Sequence, residues 1–137
     1  MKRLYIDVDG VLIPSDKEDE LPEHILPFID FVTANFDCYW LTSYCRGNAR
    51  LLLKLLAGYF EPIVMEKLIK VKTTNFKKTK AEGIDLSSDF IWIDDSPTVA
   101  SKNILTEAGR LDRLIVVDLE TKDELIRVME LLSATLS

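Results

Sequence analysis

Short apolar runs recur along this chain, each followed by a stretch with helical spacing, and that alternation restricts the fold more than any other feature. The runs are "RLYIDV" (3–8), "CYWLTS" (38–43), "DFIWIDD" (89–95) and "RLIVVDL" (113–119), with a fifth at "EPIVME" (61–66). Their length and their β-branched and aromatic content predict strands. "LPFIDFVTANF" (26–36), "NARLLLKLLAGYF" (48–60), "PTVASKNILTEAG" (97–109) and "KDELIRVMELLSATL" (122–136) predict helices. "KLIKVKTTNFKKTKAEG" (67–83) is less regular and is expected to end in a short helix. Several strands are apolar on both sides of the pleat, so each face of the sheet needs a cover. The expected fold is α/β, with a mostly parallel sheet of about five strands and helices on both faces.

The chain has 137 residues, enough for one domain over 1–137 with a single good core. A net charge of -6 and the lack of a Lys/Arg block argue against a nucleic-acid-coating role, although a local basic patch is left open. Two cysteines, Cys38 and Cys45, build neither a metal spacing nor a disulfide framework, so reduced thiols in a cytoplasmic protein are expected. Asp7 and Asp9 interrupt the N-terminal apolar stretch too early for a signal peptide, and no run reaches membrane-spanning length.

Polar residues gather where the strands stop. "YIDVDGVLI" (5–13) looks locally like a hairpin, because Asp9-Gly10 sits between apolar runs. The first strand nevertheless delivers two carboxylates, Asp7 and Asp9. The second delivers Thr42 and Ser43, and the strand at 89–95 delivers Asp94 and Asp95. A parallel sheet collects its strand ends at one edge, where ligands bind in open α/β sheets. Four carboxylates at one edge repel each other and call for a cation. Mg²⁺ is the natural one, being a hard ion that takes oxygen ligands. Lys77, Lys78 and Lys80 precede the acidic strand, and one of them could enter the same site. Carboxylates, a hydroxyl, an ammonium and Mg²⁺ together suit phosphoryl chemistry.

"DVDGV" (7–11), "WLTS" (40–43), a lysine near 80 and "WIDDSP" (92–97) resemble, in order, the four motifs of the haloacid dehalogenase (HAD) superfamily. The resemblance runs from residue 3 to about residue 118. It implies a three-layer, Rossmann-like domain and a hydrolase of the phosphatase kind. It also implies a role for each matching position. Asp7 resembles the nucleophile that forms an aspartyl-phosphate and touches the metal. Asp9 resembles the general acid/base, with its backbone carbonyl on the metal. Thr42 resembles the phosphate-binding hydroxyl, with Ser43 as a substitute. Asp94 and Asp95 resemble the metal-holding pair. For the lysine, Lys80 is preferred because it falls in the helix-like piece leading into the strand, with Lys78 as the alternative. Gly10 is expected to let backbone approach a phosphate, and "VLIP" (11–14) to contribute to a flap. In the superfamily an acid at the second position of DxD goes with phosphoester chemistry.

Between Asp9 and Thr42 lie 32 residues, and between Thr42 and Lys80 lie 37. Neither gap holds a folded cap beyond its predicted elements, so the resemblance implies a capless, open site. The substrate is expected to be a phosphorylated molecule of unspecified class. The acidic loop "DKEDE" (16–20) would repel an anionic polymer if it faced the site.

Other arrangements fit less well. A response-regulator-type receiver also gathers acids, a hydroxyl and a lysine, but its acidic pair comes first in the chain; here Asp94-Asp95 comes last. A catalytically silent module on the same fold is a third reading, which the near-complete motif set opposes. A cysteine phosphatase loop, C-x₅-R from Cys45, would need Arg where Leu51 stands. His24 is expected at the surface and has no triad partner in view. Arg46 is expected at the surface, and Trp40 and Trp92 in the core.

Overall fold

The computed structural model describes residues 1–16 and 20–136. A parallel sheet of four strands forms the centre: β1 (Arg3–Ile6), β2 (Asp37–Trp40), β3 (Phe90–Asp94) and β4 (Leu114–Val116), in the order β2-β1-β3-β4. Ile6 pairs with Trp40 on one side and with Ile93 on the other, and Ile93 pairs with Ile115. The carboxyl ends of the strands are therefore level. Chain order reverses direction between β1 and β3, which makes their shared end the topological switch point.

Five helices are present among the described residues: α1 (Ile25–Asn35), α2 (Arg50–Leu56), α3 (Pro62–Leu68), α4 (Val99–Glu107) and α5 (Glu124–Ala134). The alternation of the strands divides the core in two. Leu4, Ile6, Trp40, Ile91 and Ile93 pack with apolar residues of α1, α2, α3 and α5. Tyr5, Phe90 and Trp92 face the other way, towards Leu105 of α4, Phe76 and Ile84. Both tryptophans are fully buried, as expected of core residues. His24 is half-buried rather than a free surface group. It begins α1, and its Nε2 lies 2.9 Å from Oδ1 of Asp123, which begins α5, so it ties two neighbouring helix starts together.

The sheet has four strands where about five are expected, and the difference lies at 61–66. "EPIVME" is the start of α3, not a strand. Pro62 occupies the first helical turn, where its missing N–H costs nothing and its fixed φ suits the helix. Met65, Glu66, Lys67 and Leu68 then favour continuation. Ile63 is exposed, so the apolar run that suggests a strand is not a buried one. The segment between Asp9 and Thr42 is taken up by a tight turn, α1 and β2, and the one between Thr42 and Lys80 by α2, α3 and an irregular connector.

α1 should show its two faces in its unfolding energetics. Phe28 is fully buried and Leu26 is half exposed on the same helix. Phe28→Ala is expected to cost about 3–5 kcal/mol and Leu26→Ala less than about 1 kcal/mol in urea unfolding. Equal costs would mean that α1 does not pack as described.

Candidate active site

β1 ends at Ile6, and the backbone carries the sheet pattern one residue further: Asp7 N–H donates to the Ile93 carbonyl at 3.1 Å. The chain then turns sharply. The Val8 carbonyl accepts from the N–H groups of Val11, Leu12 and Ile13, and Gly10 N–H donates to the Ile13 carbonyl at 2.8 Å. "DG" thus does mark a tight turn, but among the described residues no antiparallel strand follows it. Val11, Leu12 and Ile13 are all buried, so the piece expected to belong to a flap is anchored in the core.

Asp7 and Asp94 stand side by side at the switch point, and Lys80 bridges them. Its Nζ lies 3.0 Å from Asp7 Oδ1 and 2.8 Å from Asp94 Oδ2. Both carboxylates are buried, while the lysine is about one-quarter exposed. Each acid also accepts a backbone N–H: Val8 to Asp7 Oδ1 and Ser96 to Asp94 Oδ1, both at 2.8 Å. Asp95, half-buried, completes the group. One carboxylate oxygen from each of Asp7, Asp94 and Asp95 lies within 4.8 Å of the others.

Burial pushes the Asp7 carboxyl up to about 8, and the neighbouring Asp94 charge pushes in the same direction; Lys80 opposes both. For Lys80, burial works against the charged form, but Asp7 and Asp94 together outweigh it and raise its pKa. Three acids against one lysine leave an excess of negative charge. The all-oxygen donor set, at that spacing, could hold a hard metal cation.

The lysine bridge depends on a short 3₁₀ turn, Lys80–Gly83. "TKAE" (79–82) is a capping box: Thr79 binds back to the turn, and Glu82 Oε1 accepts from Thr79 N–H at 2.7 Å. Ser101 of α4 accepts from Ala81 N–H at 3.1 Å and hydrogen-bonds the Thr79 hydroxyl. The side chain of Lys80 is thereby aimed into the site. Lys77 and Lys78 are exposed and not part of the bridge.

Gly10 has a further part in the site. Its φ is +77°, and a Cβ there would lie 2.2 Å from Asp95 Oδ2. Glycine is needed so that Asp95 can sit against the turn.

Thr42 leaves the sheet next to Asp7, since Leu41 N–H still bonds the Ile6 carbonyl at 2.9 Å. Thr42 is buried and Ser43 is exposed, which separates the two hydroxyls. Arg46 is held away from the acids. Its guanidinium lies over the Phe76 ring, 4.0 Å from the centroid, and donates to the Phe76 carbonyl at 2.8 Å.

Tyr44 does not stand out in the sequence. Its hydroxyl donates to Asp9 Oδ2 at 2.9 Å, while Asp9 Oδ1 is buried with no hydrogen-bond partner. Burial, and then the bond to Asp9, keep the phenol protonated by raising its pKa. A tyrosine in a turn after a strand carries no pattern that would reveal this contact.

A cleft of about 790 Å³ opens beside Gly10 and Asp95, with Asp16, Glu20, Asp118 and Glu120 on its walls. Of the acidic loop, Asp16 and Glu20 therefore face this cleft; residues 17–19 lie outside the described residues. A separate cleft of about 300 Å³ beside Phe36, Cys38 and Val71 contains none of the clustered acids. No helix among the described residues is long and apolar enough to cross a membrane.

Comparison with protein-family models and with curated proteins finds no match to this chain.

In the metal-free protein, Asp7→Asn is expected to stabilise the fold at neutral and alkaline pH. The folded state holds the Asp7 proton up to about 8, whereas the unfolded chain loses it near the ordinary carboxyl value. Stability therefore falls as pH rises through that window, and Asn removes the loss. Thermal melts in EDTA should show a gain of a few kcal/mol at about pH 8, vanishing below about pH 4. A variant less stable than wild type at about pH 8 would contradict this electrostatic description.

Proposed function

We propose that this chain is a small HAD-type phosphatase, a Mg²⁺-dependent phosphomonoester hydrolase. The observation that carries the reading is the Lys80 ammonium held between Asp7 and Asp94, with Asp95 alongside, at the switch point of a parallel sheet. A purely structural ion pair would need one acid for one lysine. Two acids on one lysine, with a third carboxylate oxygen within 4.8 Å of both, suit a place where a cation and a phosphate meet.

In this reading the Asp7 side chain, the Asp9 backbone carbonyl, Asp94 and Asp95 would hold Mg²⁺. When bound, the ion neutralises phosphate oxygens and favours ionised Asp7. Lys80 also draws Asp7 towards the charged form that can attack phosphorus. Asp7 displaces the ester oxygen and becomes an aspartyl-phosphate. Asp9 protonates the departing oxygen and then takes a proton from the water that hydrolyses the phosphoenzyme. Thr42, Lys80 and exposed backbone N–H groups hold the phosphate oxygens.

The substrate enters from an open side, next to an acidic cleft. That charge disfavours polynucleotides and favours phosphomonoesters without a long anionic tail. Cys38 and Cys45, both buried and unpaired, suit a reducing cytoplasmic setting.

Hydrolysis of p-nitrophenyl phosphate tests the reading. Activity should require Mg²⁺, disappear in EDTA and be abolished by Asp7→Asn. Lys80→Ala should lower kcat by about 10²–10³, the scale of losing one charge-stabilising group. Lys78→Ala should leave the rate nearly unchanged. Full activity in EDTA, or an active Asp7→Asn variant, would overturn the proposal.

A further inference from the structure

We infer that Tyr44 is a positioning residue that holds the Asp9 carboxyl in one orientation, its phenol anchoring Oδ2. The inference rests on the phosphatase reading above and extends it to a residue outside the four motifs.

The geometry supports it in three ways. First, the backbone of Asp9 is set by the tight 8–13 turn, with Asp9 also bridged to Ile13. The turn fixes where Asp9 begins and leaves its side-chain torsions to be fixed by other contacts. Second, the Tyr44 hydroxyl donates to Oδ2 at 2.9 Å, a full-strength hydrogen bond to a carboxylate. Third, Oδ1 is buried and has no partner. The bond from Tyr44 to Oδ2 is therefore the contact that orients the carboxyl.

Tyr44 itself is held firmly. It lies in the turn that follows β2, where Cys45 N–H donates to the Thr42 carbonyl at 3.0 Å. The Thr42 hydroxyl oxygen accepts from Tyr44 N–H at 3.4 Å. The Tyr44 ring packs against the larger core cluster. The phosphate-binding hydroxyl and the restraint on Asp9 thus sit two residues apart on one turn.

The proton balance follows. In the first step the Asp7–phosphorus bond forms and the bond from phosphorus to the ester oxygen breaks; Asp9 gives its proton to that oxygen. In the second, Asp9 takes a proton from water as the water oxygen bonds phosphorus and the Asp7–phosphorus bond breaks. Tyr44 keeps its own proton throughout. Its contribution is to stop the carboxyl from rotating away from the departing oxygen.

Tyr44→Phe removes the bond and keeps the ring that packs in the core. The diagnostic readout is the dependence on leaving group. A simple alkyl phosphate needs a proton on its departing oxygen, whereas p-nitrophenolate leaves readily without one. Tyr44→Phe is expected to lower kcat/KM for the alkyl ester at least about tenfold more than for p-nitrophenyl phosphate, within the range of general acid catalysis. Equal losses on the two esters, or no loss on either, would overturn the role of Tyr44 while leaving the phosphatase reading intact. If wild-type protein with Mg²⁺ hydrolyses neither ester, the phosphatase reading fails, and the inference about Tyr44 fails with it.

Discussion

The ammonium of Lys80, within 3.0 Å of both Asp7 and Asp94, is the contact on which the candidate site depends. Two buried carboxylates beside each other are unfavourable in a medium that screens poorly. The lysine makes their approach tolerable, and the backbone N–H groups of Val8 and Ser96 assist. It does not balance Asp95 as well. The three carboxylates thus outnumber the lysine, and the cluster could hold a metal ion.

The sheet explains why these groups meet. Asp7 directly follows β1 and Asp94 ends β3, neighbouring parallel strands in register, so their side chains reach the same edge. The reversal of chain order between β1 and β3 leaves that edge open. Lys80 arrives from a connection that passes over α4, locked by the Thr79–Glu82 capping box and by Ser101. Each part of the site is therefore placed by ordinary backbone bonding, and the side chains need little freedom to find one another.

Much of this could be read from residues alone because strand ends are informative. An apolar strand that stops in carboxylates has few purely structural explanations, and Asp7, Asp94 and Asp95 do converge. The preference for Lys80 over Lys78 rested on a helix-like segment, and the turn is there, signed by "TKAE". The reading failed where a pattern was ambiguous. "EPIVME" has a strand's composition, but Pro62 opens a helix and Ile63 faces solvent. Gly10 could be recognised as necessary, but not that its missing Cβ makes room for Asp95, a residue 85 positions away. Tyr44 lay beyond any local signal, because its contact to Asp9 joins two turns that only the folded sheet brings together.

The central claim is that Asp7 attacks phosphorus. It is tested most directly by mass-spectrometric mapping of acid-quenched protein after reaction with p-nitrophenyl phosphate and Mg²⁺, using Asp9→Asn to slow release of the phosphoryl group. The account predicts a phosphoryl group on the peptide containing residues 3–8, localised to Asp7. A phosphoryl group on any other residue, or hydrolysis that proceeds without a phosphoenzyme, would contradict it.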